Sequence, residues 1–167
     1  MGYELHARQW VPMDRGLVYQ FFADPNNLVR LSPPAVGLQI MHGAQSPIAP
    51  GQTLHIRVRP FGWAMDFTSQ ITQVEIGSLF EDQAHGGLFK RWIHQHRFTD
   101  HGNGTMIEDV VHYDVGGGAV GRLMHGLIIR RQMAAMFRFR HRQFMEIHHL
   151  KLSLQPPGLP SVVVSRR

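Results

Sequence analysis

Residues Arg91–Tyr113, RWIHQHRFTDHGNGTMIEDVVHY, set two histidines one residue apart in an aromatic frame, then a Gly-Asn turn, then a second alternating run. A symmetric hairpin turn at Gly102-Asn103 pairs Phe98 with Ile107, His96 with Asp109, His94 with Val111 and Trp92 with Tyr113. Side chains alternate along a strand, so these eight share one face. The other face receives Arg97 opposite Glu108, Gln95 opposite Val110 and Ile93 opposite His112. The first face is aromatic and aliphatic and the second carries an ion pair, so the first faces inward. A slip of one residue would bury Arg97, which selects this register.

The strand pattern extends outward from the hairpin. Leu54, Ile56 and Val58 alternate with His55, Arg57 and Arg59, and Trp63, Met65, Phe67 and Ile71 alternate with Asp66, Thr68, Gln70 and Thr72. Between 35 and 115, Gly, Pro and Asn signals divide strand-like segments near 35–43, 52–60, 63–76, 78–85, 89–99 and 105–115. Tyr3–Val11 supplies a seventh strand. Asp14 then caps a short amphipathic helix, Asp24 caps a second, and Pro33-Pro34 stops it.

After Gly116–Gly118 the period changes. Val120, Leu123, Leu127, Ala134, Phe137, Phe144 and Met145 recur at helical spacing without proline, which predicts one long helix from Ala119 to about Leu150. Such a helix buries its stripe only along a sheet. The fold expected is therefore α+β: a seven-stranded antiparallel sheet curled around a long C-terminal helix, with two short helices after the first strand. One domain over 1–152 is expected, and the Pro-rich 153–167 is expected to form a flexible tail.

Composition narrows the chemistry. The chain has 167 residues, 43% of them hydrophobic, and no cysteine, which excludes disulfides, thiolate metal sites and cysteine nucleophiles. No apolar run reaches the length of a membrane span, and a cytoplasmic location is expected. Residues 1–121 hold 8 Lys/Arg against 11 Asp/Glu, whereas residues 122–167 hold 9 against Glu146 alone. Such a basic C-terminal region is mainly a solvated helix face, with weak peripheral contact to anionic membranes as its second use. No nucleic-acid motif accompanies it, so no nucleic-acid partner is expected.

Several phrases together resemble a known superfamily. "FFADPNNLVRLSPP" at 21–34, the W-x-H-x-H-x-F run at 92–98, T-x-I-x-D-x-V-x-Y at 105–113 and "RRQMAAMFRFRH" at 130–141 resemble a bacterial branch of the SRPBCC superfamily. That superfamily includes START lipid-transfer domains, birch-pollen-allergen-like plant proteins and polyketide cyclases. The resemblance covers residues 3–150 and implies a helix-grip fold with a cavity for an apolar ligand. Gly86-Gly87 stands where that branch often has Gly-Pro, and Asp114–Gly118 lacks its expected proline, so the loops at the cavity mouth differ.

Three site chemistries are open. In the first, a small lipid-, aromatic- or polyketide-like ligand is bound by Trp63, Phe67, Trp92, His94, His96, Phe98, Val111, Tyr113 and Phe137, with no cofactor and no metal. In the second, a cyclase or dehydratase uses His96, oriented by Asp109, as general base, with Tyr113 or His94 as donor to the enolate. In the third, the H-x-H pair and Asp109 form a two-His, one-carboxylate metal set. Twelve histidines produce such pairs by chance, which ranks the metal set last. His42, His55, His101, His125, His148 and His149 are read as surface or packing residues.

Overall fold

A computed structural model describes residues 2–59, 62–151, 155–156 and 158–167. The chain runs through β1 (Gly2–Val11), α1 (Arg15–Phe22), α2 (Asn26–Arg30) and a 3₁₀ turn (Pro34–Val36). A meander follows: β2 (Gln39–His42), β3 (Thr53–Val58), β4 (Met65–Glu75), β5 (Leu79–Gly86), β6 (Phe89–His101) and β7 (Gly104–Val115). The C-terminal helical run comprises α3 (Gly118–Met124), a π-helical turn (His125–Ile129) and α4 (Arg130–Ile147), and β8 (Ser161–Arg166) ends the sheet. The strands form one antiparallel sheet in the order β2-β3-β4-β5-β6-β7-β1-β8.

The β6–β7 pairing sets Phe98 opposite Ile107, His96 opposite Asp109, His94 opposite Val111 and Trp92 opposite Tyr113, the register that the symmetric turn requires. Asp14 caps α1 by accepting from the Leu17 amide at 3.1 Å. The apolar interior divides in two. Val18 and Tyr19 of α1 pack with Phe80, Phe98, Ile107 and Phe144, while Leu5, Val111, Tyr113, Met133 and Phe137 pack where the long helix crosses β1 and β7. Each large apolar side chain buried there contributes roughly 1.5–3 kcal/mol.

Two expectations are corrected. The segment expected to be a flexible tail contributes an eighth strand, pairing Tyr3 with Arg166 and Leu5 with Val164. Three consecutive valines have high β propensity, and β1 would otherwise present an open edge on this side. Val164 is buried in the second cluster. The prolines precede the strand and do not interrupt it; Leu152–Leu154 and Pro157 lie outside the described residues.

The long helix forms, but its apolar stripe changes phase. Val120, Leu123 and Leu127 are 69%, 62% and 55% exposed, and the buried series is instead Gly121, His125, Ile129, Met133 and Phe137. The wider π-helical turn at His125–Ile129 rotates the first half relative to the second, so the pattern of α4 cannot be extended backwards. Gly121 lets the helix start close to β7: a Cβ there would lie 1.7 Å from the Gly116 carbonyl oxygen. No helix among the described residues is long and apolar enough to cross a membrane.

His141 on α4 is buried, and neither of its ring nitrogens has a hydrogen-bond partner among the described residues. Burial, opposed by Asp109 and reinforced by Arg140, pushes it down to about 4. The unfolded chain therefore takes up this proton first. The stability gained from the neutral ring is present above the ordinary value near 6.5 and is lost as pH falls through about 4. Urea unfolding between these limits should show a loss on the order of 3 kcal/mol from this residue. His141→Leu should flatten the decline, and an unchanged slope would refute the assignment.

Candidate functional site

The inner faces of β3, β4, β5 and β6 are not filled by the helix. They bound a cavity of about 280 Å³, closed by α2, the 3₁₀ segment and α4. Leu54, Ile56, Phe67, Ile71 and Trp92 form its sheet wall, and Leu28, Leu31, Met133 and Met136 face them from the helices. Small side chains keep it open: Ser69 pairs with Ala84, and Ala84 with Trp92, in the middle of this face. The mouth side includes Gly86, Gly87 and Leu88 from the β5–β6 turn.

One side of this apolar space is polar. Asp82, His94, His96, Ser69 and Arg140 all line it. Register explains the convergence, because β5–β6 pairing puts Asp82 opposite His94 and β6–β7 pairing puts Asp109 opposite His96. Asp109 is 1% exposed and lies behind the histidines. Its Oδ1 accepts from His94 Nε2 at 3.0 Å, stands 2.8 Å from His96 Nδ1, and lies 3.8 Å from Arg140 Nη1. The His96 contact is an ion pair without hydrogen-bond alignment. Asp82 Oδ2 accepts from Ser69 Oγ at 2.8 Å, which leaves Oδ1 facing the two rings. The rings are held by stacking of His96 on Phe80 at 4.2 Å and by an edge contact of His94 with Phe137 at 5.6 Å.

The electrostatics separate two similar histidines. Burial and the neighbouring His96 push His94 down to about 4, although Asp109 and Asp82 oppose the shift. Burial works against His96 as well, but there Asp109 and Asp82 prevail and raise it above its ordinary value. Burial alone would raise both carboxyls; instead the two histidines hold Asp109 well below the carboxylate range, and they lower Asp82 with help from Ser69. The cluster thus contains two carboxylates, a neutral His94 and a His96 that retains its proton more readily.

The nine residues expected to contact a ligand fall into three groups. Phe67, Trp92, His94 and His96 line the cavity. Phe98, Val111, Tyr113 and Phe137 do not; they are buried core residues behind it, and the Tyr113 hydroxyl is engaged with His125 Nε2 at 2.8 Å. Tyr113 is therefore corrected from a donor to a ligand to a packing residue. Trp63 is corrected as well: it precedes β4, where the inward alternation starts at Met65, and it is 81% exposed.

Asp82, Ser69 and Arg140 were missed. The signal for Asp82 was its place in the alternation Phe80, Asp82, Ala84, but its face depends on the pairing across Gly86–Leu88, whose turn is less regular than Gly102-Asn103. Arg140 had no signal beyond one basic residue on a helix.

Against known proteins, residues 11–137 match the family described as polyketide cyclase / dehydrase and lipid transport. The chain belongs to this family. No curated protein matches it. Among solved structures, protein CV1439 from Chromobacterium violaceum superposes with a TM-score of 0.67 at 13% identity, covering 86% of this chain and 96% of that one. Norcoclaurine synthase from Thalictrum flavum superposes at 0.62 with 17% identity, covering 87% and 88%. Ginseng major latex-like protein 151 from Panax ginseng superposes at 0.60 with 15% identity, covering 90% and 99%. At these identities the likeness establishes the shared helix-grip fold of this family member.

Proposed function

We propose that this protein binds a small, mainly apolar molecule of lipid, aromatic or polyketide type between the sheet and the long helix. Phe67 and Trp92 serve as walls, and His94 and His96 orient a polar end. The observation that carries this reading is the cavity itself: apolar walls with convergent polar groups on one side are how small-molecule sites are built. Phe98, Val111, Tyr113 and Phe137 support the walls from behind. The family description covers both lipid transport and cyclase or dehydrase chemistry, and either begins with such binding.

A second reading, a cyclase- or dehydratase-type enzyme, is favoured by the placement of His96 on the cavity wall with Asp109 behind its other nitrogen. In this reading His96 takes a proton next to a ligand carbonyl, and Arg140 stabilises the enolate oxygen, because the neutral His94 ring already donates its one N–H to Asp109. The proposal also includes a cytoplasmic location and peripheral contact with anionic membranes. Exposed Val120, Leu123, Met124, Leu127 and Ile128 lie along a segment carrying Arg122, Arg130 and Arg131 without an acidic residue, which suits such a surface. Co-sedimentation with anionic vesicles, lost in Leu123→Asp, tests that contact.

Titration with an apolar fluorescent probe tests the binding reading. Saturable uptake by the parent protein is expected, with affinity falling about tenfold or more in Ala84→Phe, which fills the space beside Trp92, while the fold is kept. Absence of probe binding, with Trp92→Ala losing the roughly 3–5 kcal/mol typical of a packed aromatic, would show a solid interior. Turnover of an aromatic polyketide decides the second reading. His96→Ala should lower it by roughly 10²–10⁴-fold, and unchanged turnover removes His96 as base.

A further inference from the structure

The arrangement of Asp82 around the two histidines is not explained by hydrogen bonding. His94 Nδ1 lies 3.6 Å from Asp82 Oδ1, and His96 Nε2 lies 3.8 Å from the same oxygen. Both distances exceed a hydrogen bond between these atoms. The tautomer makes the His94 contact more telling. Its Nε2 donates to Asp109, so in the neutral ring Nδ1 carries a lone pair, and that nitrogen stands 3.6 Å from a carboxylate oxygen. Two electron-pair donors this close in a buried site repel each other, and a cation shared between them turns that repulsion into attraction.

The spacing suits such a cation. Two metal–ligand bonds of about 2.0–2.1 Å at a tetrahedral angle separate their donor atoms by about 3.4 Å. The three donor atoms of Asp82, His94 and His96 lie within 4.8 Å of one another. We infer that Asp82 Oδ1, His94 Nδ1 and His96 Nε2 form a site for one divalent transition-metal ion of the Zn²⁺ or Fe²⁺ type. Two imidazoles and a carboxylate are a donor set that such ions accept with coordination positions left over.

The surroundings are those of a metal site. Asp109 is not a ligand. It touches the far nitrogens of both rings, His94 Nε2 and His96 Nδ1, and so aims Nδ1 of one and Nε2 of the other at Asp82. Ser69 Oγ fixes Asp82 through its second oxygen. Arg140 offsets Asp109, whereas the ion-pair contacts of Asp82 among the described residues are with the two histidines alone. All three residues line the cavity, so a carbonyl, hydroxyl or carboxylate oxygen of a bound ligand would be within reach to complete the shell. This site goes beyond the apolar-binding reading and is measurable without any organic ligand.

The test is titration of the chelator-treated full chain with Zn²⁺ and Co²⁺ by calorimetry, with X-ray absorption of the loaded parent protein. One ion per chain is expected, with two imidazole nitrogens and carboxylate oxygen at about 2.0–2.1 Å. Asp82→Asn and His94→Ala should each weaken binding by more than about 100-fold, and Asp109→Asn by about 10–100-fold. Loss of the exposed pair in His42→Ala/His55→Ala, whose rings are 6.1 Å apart, should change nothing at this stoichiometry. No binding by the parent, binding indifferent to Asp82→Asn, binding abolished by the His42/His55 variant, or a shell without two imidazoles would each overturn the inference. The absorption spectrum needs no variant, so misfolding of a substituted chain cannot obscure the result. Apolar-probe uptake retained in Asp82→Asn separates failure of the metal site from failure of the cavity reading.

Discussion

The buried carboxylate of Asp109 constrains more of this structure than any other group. A charged oxygen that is 1% exposed must be matched by cationic or hydrogen-bonding partners, and here they come from His94, His96 and Arg140. Two of those partners lie on β6 and one on α4, so the contact ties the β6–β7 register to the position of the long helix. A one-residue slip would turn Asp109 and both histidines to the opposite face and bring Arg97 and Glu108 inward. Breaking one partner of such a group costs roughly 3–5 kcal/mol, which makes the register and the polar side of the cavity one problem.

The cavity follows from a shortage of helix. A single long helix packs against β1 and β7, and α1 packs over Phe80 and Phe98, but neither fills the inner face of β3 to β6. Ser69 and Ala84 stand in the middle of that face, where larger residues would have closed it. Helix-grip relatives at 13–17% identity share the frame. The polar side of the cavity in this chain is made by Ser69, Asp82, His94, His96 and Arg140.

Legibility in the sequence followed the directness of the physical signal. The β6–β7 hairpin was readable because a symmetric turn fixes its pairing and a buried Arg97 would contradict the alternative. The sheet, the short helices and the long helix were legible from period and punctuation, with the family phrases in support. The phase of the first half of that helix was not, because a π-helical turn leaves no mark in apolar spacing when Val120, Leu123 and Leu127 mimic a continuous stripe. The eighth strand was hidden because the three prolines before it suggested a tail, while the edge that recruits Val162–Val164 exists only in the folded sheet. In the site, His94 and His96 were visible as a pair. Their separation from Phe98, Val111, Tyr113 and Phe137, which share their faces or neighbouring surfaces but pack solidly, depends on where α4 crosses, and spacing along strands cannot supply that.

Native mass spectrometry of the protein purified gently from its own host addresses the central claim most directly, because it reports what the interior carries without presupposing a substrate. A small organic molecule at one per chain, released on unfolding, is the result predicted by a cavity with apolar walls and an orienting polar side. A chain that carries no organic adduct in its folded charge states, under conditions that preserve a bound reference ligand in a helix-grip relative, would contradict it.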